Sequence, residues 1–285
     1  MNRIKLPATY QEQIDILKQR GCIIENEKEC ERILANIGYY RLSAYFLPYK
    51  QNNERYITGT KFKSIYQIYE FDRKLRSVVF GAIEIIEINL RSIFSYYHSM
   101  KYGSLGYLEP GSFNNKHNVG RFKTNLEREI NNNKKVLFVK HHINKYNGNF
   151  PLWVIIELFT FGMLSYFYND LKTADKKSVA ALLDANYHNL VSWMRCCTDL
   201  RNICAHYGRL YYRIYSAAPS GLNMTERESR GFWGAIMVVK SLFPSKEIWN
   251  NEFLTEIEAL FSEYNEEIDL KHLAFPEDWR TLLKK

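Results

Sequence analysis

The sequence predicts an all-α protein. Apolar residues recur at helical spacing through most of the chain, sustained period-two runs rich in Val, Ile and Thr are hard to find, and caps and glycines bracket the first periodic segments. Thr9 suits the N-cap of a first helix running to about Arg20, with Gly21 as its stop, and a second helix is expected from Lys28 to Ile37, ending at Gly38. The polar tract Gln51–Thr60 reads as a loop. From about Phe62 to Met100, the residues Ile65, Tyr69, Leu75, Val79, Ile83, Ile86, Leu90 and Phe94 form a continuous seam, which predicts one long helix with a bend at Gly81. Residues 103–118 form a loop, and a basic helical stretch follows. Phe150-Pro151 opens another helix that Gly162 kinks or divides, and further helices are expected near 175–185, 187–207, 226–242 and 250–268. No internal repeat or flexible linker is present. The expected organisation is one compact unit, an N-terminal helical segment (1–60) packed on a main helical domain (61–285).

Composition bounds the rest. With 285 residues and 46% hydrophobic content the chain can bury a core, and its 21 Tyr and 17 Phe suit interhelical packing and base stacking alike. The five cysteines (Cys22, Cys30, Cys196, Cys197, Cys204) are odd in number and include no Cys-x-x-Cys pair, so neither a disulfide framework nor a zinc knuckle is expected. A reducing, cytoplasmic setting is expected, because Met1–Pro7 lacks the apolar core of a signal peptide. The segment Trp153–Tyr168 is too short to span a membrane and carries Glu157, so it reads as a buried helix.

Net charge is +8, and the excess is local. Between residues 116 and 145, eight basic residues (Lys116, Arg121, Lys123, Arg128, Lys134, Lys135, Lys140, Lys145) stand against Glu127 and Glu129. Residues 250–270 carry seven acids and no Lys or Arg, so the chain is electrically polarised. The basic stretch reads either as a solvated helix face or as a surface for RNA.

Phosphate-loop, dinucleotide-binding and His-Glu-x-x-His motifs are absent, which argues against nucleoside triphosphatases and zinc hydrolases. What stands out is the run from Cys196 to Leu210, with Arg201, Asn202 and His206 at its centre. At about 100° per residue, Asn202 and His206 fall within roughly 40° of each other and Asp199 within about 20° of His206, while Arg201 lies about 140° away, on the flank. Cleavage of RNA without a metal needs a base for the 2′-hydroxyl proton, an acid for the leaving 5′-oxygen and a cation for the phosphorane; His and Arg suit those roles. One imidazole is poorly placed to serve both sides of an in-line reaction, so a second copy across a two-fold axis is the economical source of the other. In this reading Asn202 orients His206 or donates to phosphate, Asp199 raises the proton affinity of the imidazole, and Arg209 adds positive charge. Taken by spacing alone, the same residues also fit a set of helix side chains that satisfy one another.

Several blocks together resemble a known family: Tyr39-Tyr40-Arg41-Leu42-Ser43-Ala44-Tyr45, Tyr69 to Arg76, Ile86 to Ser92, Pro151 to Val154 with Glu157 and Phe161-Gly162, and Arg201-Asn202 through His206 with Arg209-Leu210. In this order, over roughly residues 7 to 215, the chain resembles the Abi proteins of bacterial abortive infection (AbiD/AbiF type), a branch of the HEPN superfamily. The resemblance implies a HEPN helical bundle in which an Arg, a polar residue and a later His form an RNase site, commonly composite across a homodimer. Arg201, Asn202 and His206 occupy those positions. It further implies a toxin-like role in phage defence, no cofactor, and in some relatives an associated structured non-coding RNA.

Other charged residues are secondary. Glu84, Glu87 and Arg91 share a face of the long helix at spacings of three and four; they read as interhelical ion pairs, with Glu87 or Arg91 orienting catalytic groups if that face meets the helix of His206. The alternatives to cleavage are a module that docks a structured RNA without cutting it and a helical interaction protein.

Overall fold

In a computed structural model, residues 6–285 are described; the reading of Met1–Lys5 lies outside them. Among the described residues the structure is helical, with three isolated bridges and no strand, and no helix is long and apolar enough to cross a membrane.

The chain divides into two units. The first takes the described residues up to Leu75 together with Ile257–Asp269. It opens with α1 (Tyr10–Gln19), where Thr9 accepts from the Glu12 amide and the Glu12 carboxylate accepts from Thr9 in return, a reciprocal capping box. The helix ends before Gly21 at φ +90°. Asn26 caps α2 (Glu27–Ile37), and Gly38, at φ +86°, turns the chain into α3 (Tyr39–Phe46). Within α3, Tyr45 is buried and donates to Asp72 at 2.6 Å, so it is a packing residue, whereas Tyr40 lies on the surface.

The long helix α4 (Phe62–Tyr102) runs uninterrupted through Gly81. Its expected seam is buried except for the half-buried Tyr69, which meets Tyr45 edge-on at 5.6 Å. The boundary between the units falls inside α4, after Leu75, rather than near residue 60, and the acidic segment 257–269 belongs with the N-terminal residues. An unbroken helix offers no linker composition to mark such a boundary.

The second unit (Arg76–Glu256 and Leu270–Lys285) holds the rest. It contains α5 (Val119–Asn132), α6 (Leu137–Lys145), α7 (Leu152–Ile155), α8 (Phe161–Asp170), α9 (Thr173–Leu182) and α10 (Tyr187–Ala205). Then come α11 (Glu226–Ser229), α12 (Phe232–Leu242), α13 (Lys246–Ile248), the start of α14 (Leu254–Glu263) and α15 (Trp279–Leu283). Two breaks differ from expectation. The helix opened by Pro151 is divided at Phe159, whose backbone is extended, and Thr160 caps α8 by accepting from Met163; Gly162 sits inside the new first turn. The segment 153–168 is therefore not one buried helix, and Tyr166 is 60% exposed. The stretch 226–242 breaks at Gly231, where an added Cβ would lie 2.3 Å from the Cβ of Ala274.

Helix α10 packs against α8, α9 and α12. Leu190, Trp193, Met194, Cys197, Leu200 and Cys204 are buried, which leaves Arg195, Asp199, Asn202 and His206 along the opposite stripe.

Candidate functional site

The motif sits at the end of α10, and the helix stops at Ala205, two residues short of the expected 207. His206 is the C-cap; Tyr207 follows at φ +58°, its amide donating to Cys204 at 3.1 Å, and the Gly208 amide donates to Ile203 at 2.7 Å. These two bonds are a Schellman closure with tyrosine, not glycine, in the left-handed position. Gly208 follows in a tight spot, since a Cβ there would stand 3.0 Å from the Ile203 side chain and 3.2 Å from its carbonyl, so Ile203 would have to give way. Buried Arg76 of α4 donates to the Gly208 carbonyl at 3.3 Å and so braces the turn.

On the exposed stripe, Asn202 and His206 are joined through the backbone, where the His206 amide donates to the Asn202 carbonyl at 3.0 Å. Both side chains face solvent, and the His206 imidazole makes no hydrogen bond or ring contact among the described residues. Asp199 does not reach it; its carboxylate accepts from Ser216 Oγ at 3.0 Å. Arg209 is half-buried, with its carbonyl 3.5 Å from Arg213.

Arg201, on the flank, points toward α4. Its Nε lies 3.8 Å from Glu87 Oε2, too long for a hydrogen bond, and its guanidinium carbon lies 5.8 Å from the Phe80 ring centroid. Glu87 is held by Arg91 at 2.5 Å, and Arg91 in turn donates to the Phe159 carbonyl at 2.8 Å and faces Glu157 at 3.5 Å. The α4 face bearing Glu87 and Arg91 thus meets the α10 helix at Arg201. Among the described residues the Arg201 guanidinium donates no hydrogen bond, so its charge is oriented by Glu87 without being consumed by it.

The basic residues lie in the same unit. Lys116 and Arg121 line a cleft of about 240 Å³ between α5 and α8, and the Arg121 guanidinium stands 5.3 Å from the Tyr166 ring centroid. Lys123, Lys134, Lys135 and Lys140 are exposed, while Arg128 pairs with its neighbour Glu129 at 3.1 Å. A second cleft, of about 500 Å³ between α8 and α10, shares Tyr166 and Asn169 with the first and is lined by Ser165, Arg195 and Asp199. The stripe Arg195, Asp199, Asn202, His206 continues from it. Tyr166 falls within the segment 153–168 that the sequence presents as a buried helix, yet Gly162, Ser165, Tyr166 and Asn169 recur at helical spacing and mark a polar face.

Cys22, Cys30 and Cys196 are free and buried, and burial pushes each thiol up to about 12; Cys204 is buried too, which suits packing and not attack. His142 is turned into its own helix, its Nδ1–H donating to the Phe138 carbonyl at 2.8 Å and its ring stacking on Phe150. Among the described residues no three His, Cys, Asp or Glu side chains gather in a metal-binding group.

No curated protein and no solved structure matches the chain. The profile of the family described as Abi-like protein matches residues 32–212, which takes in α3, α4, both clefts and the whole of the Arg201–His206 segment. The chain belongs to the Abi-like protein family.

Proposed function

We propose that this protein is an abortive-infection effector of the HEPN kind that cleaves RNA by internal attack of a 2′-hydroxyl, with Arg201, Asn202 and His206 as its catalytic residues. The observation that carries the proposal is that the end of one helix presents an exposed imidazole with no side-chain partner among the described residues and, on its flank, a guanidinium that a carboxylate orients but does not saturate, while the same helix borders a cleft lined by Tyr166 and Arg195. In this mechanism the 2′-oxygen attacks phosphorus as it loses its proton, the bond to the 5′-oxygen breaks, and that oxygen takes up a proton. The products are a 2′,3′-cyclic phosphate and a 5′-hydroxyl end. Arg201 faces the charge that builds on the phosphorane, where a preplaced cation is most effective.

His206 of one copy takes the first proton and His206 of a second copy supplies the last, which makes the active unit a homodimer. Two exposed apolar side chains on α4 support a partner there: Phe80, in contact with Arg201, and Ile88, next to Glu87. The basic residues from Lys116 to Lys140 and Tyr166 hold the RNA strand, a structured RNA included.

The test is cleavage of single-stranded RNA in EDTA by wild type, His206→Ala and Arg201→Ala, with folding checked by circular dichroism. Cleavage is expected to fall by roughly 10²-fold or more in each variant. Equal cleavage by all three overturns the proposal; salt-sensitive RNA binding without products, unchanged in the variants, would make the protein an RNA-docking module instead.

A further inference from the structure

Beyond the motif the chain builds a second basic cavity, of about 470 Å³, that the proposed cleavage does not use. Its walls are the segment after His206 (Tyr212, Arg213), the turn joining α11 to α12 (Arg230, Gly231) and the segment containing Lys271 and His272.

Three features distinguish this cavity from a surface dent. Its walls are pinned: Gly231 lets two backbones touch where any Cβ would collide with Ala274, Arg227 donates to the Lys271 carbonyl at 2.9 Å, and the Tyr215 amide donates to the Arg230 carbonyl at 2.8 Å. Two lining residues hold left-handed backbone without being glycine, Tyr212 at φ +58° and Ala274 at φ +62°. Such backbone is costly and persists where surrounding structure enforces it, often at ligand sites. Its chemistry is also lopsided. Arg213, Arg227, Arg230 and Lys271 face a single lining carboxylate, Glu226, which lies 3.4 Å from Arg230 and is largely in solvent. Beside these cations, Tyr212 and His272 pack ring against ring with centroids 4.1 Å apart, an aromatic wall next to positive charge.

We propose that this cavity binds a nucleotide through its phosphate, with the base against the Tyr212–His272 wall and the phosphate on Arg213 and Arg230. A cavity of this size suits a small ligand, and guanidinium forks suit phosphate oxygens. The phosphate belongs either to a free nucleotide or to the 5′ end of an RNA; both present the same terminal group. Arg213 lies seven residues after His206 on the same segment, so an occupant would bear on the backbone that carries the motif.

The test is calorimetric titration of the full chain with ADP, pyrophosphate and adenosine, and with a short oligouridine bearing either a 5′-phosphate or a 5′-hydroxyl. ADP is expected to bind more tightly than pyrophosphate or adenosine, and Arg213→Gln/Arg230→Gln to weaken it by roughly tenfold or more, while Lys177→Gln/Lys246→Gln, at exposed lysines away from both sites, leaves it unchanged. Binding of the 5′-phosphorylated oligouridine alone, with the same dependence on Arg213 and Arg230, would assign the site to an RNA end. Hydrogen exchange on wild type should show added protection at 226–231 and 270–274 with the bound ligand. Unchanged affinity in the Arg213/Arg230 variant, protection elsewhere, or no binding of any probe overturns the proposal. The readout is binding, so it stands or falls separately from cleavage by Arg201 and His206.

Discussion

Glu87 of α4 and Arg201 of α10 face each other across 3.8 Å, and the same carboxylate is tied to Arg91 at 2.5 Å. One acid therefore serves two guanidiniums in a region where both Glu87 and Arg91 are largely shielded from water. Removing it leaves two cations near each other with no shared counter-charge. Glu87→Ala is expected to destabilise the fold by roughly 1–3 kcal/mol, a range set below that of fully buried pairs because Arg201 is a third exposed. Urea denaturation of wild type, Glu87→Ala and Glu87→Gln checks this. A loss below about 0.5 kcal/mol in Glu87→Ala would show that the carboxylate does not hold the pair together.

His98 supplies a pH dependence. Its ring is buried against Tyr102, Phe113 and Phe167, neither nitrogen has a hydrogen-bond partner among the described residues, and burial lowers its pKa to about 4. The unfolded chain titrates this group near 6.5, so between pH 6.5 and 4 the unfolded state binds the proton and the folded state does not. Stability is therefore complete above about 6.5 and falls as pH drops toward 4, by on the order of 3 kcal/mol from this residue. His98→Phe should lose less stability than wild type between pH 7 and 4.5, and should cost little at pH 7 because both unpaired nitrogens go with the ring. Denaturation curves at the two pH values measure the difference; identical slopes with pH in the two proteins would exclude His98 as the source.

How far the sequence carries this picture differs from place to place. The caps at Thr9, Gly21 and Gly38 and the buried seam of α4 follow from local chemistry, and each is where the residues put it. The Asn202–His206 stripe is likewise a matter of helical arithmetic. What could not be read was whatever depends on a neighbour distant in sequence. Nothing local announces that α4 continues across a unit boundary, that Ser216 occupies Asp199, or that Gly231 is required by Ala274. Tyr207 is the sharpest case. Gly208 looks like the residue that should take the left-handed turn, yet the hydrogen bonds assign it to Tyr207 and keep Gly208 for its lack of a Cβ.

That turn can be tested directly. A non-glycine residue in left-handed backbone costs roughly 1 kcal/mol relative to glycine, so Tyr207→Gly should stabilise the protein by about that amount, less whatever its exposed ring contributes. Gly208→Ala should destabilise, because its new Cβ would press on Ile203. Thermal unfolding of both variants gives the signs. A fall in Tm for Tyr207→Gly comparable to that for Gly208→Ala would show that the tyrosine ring, and not the backbone, governs the turn.

The last expectation separates charge from stacking on the proposed RNA path. Arg121 and Tyr166 touch each other, at 5.3 Å between guanidinium and ring, but they act on a nucleic acid through different physics. Loss of one phosphate contact weakens binding and also lowers the salt slope of log K by about 1, since one fewer counterion is released. Loss of a stacking ring costs about 1–3 kcal/mol for the base it carries and leaves the salt slope alone. Arg121→Ala should therefore bind single-stranded RNA less well with a shallower salt dependence, and Tyr166→Ala should bind less well with the slope of wild type. Fluorescence anisotropy across a salt series, in the His206→Ala background so that no RNA is cut, reads both quantities at once. If neither variant changes affinity, the strand does not run over α8, and the shared Tyr166 between the two clefts is a packing feature of the surface.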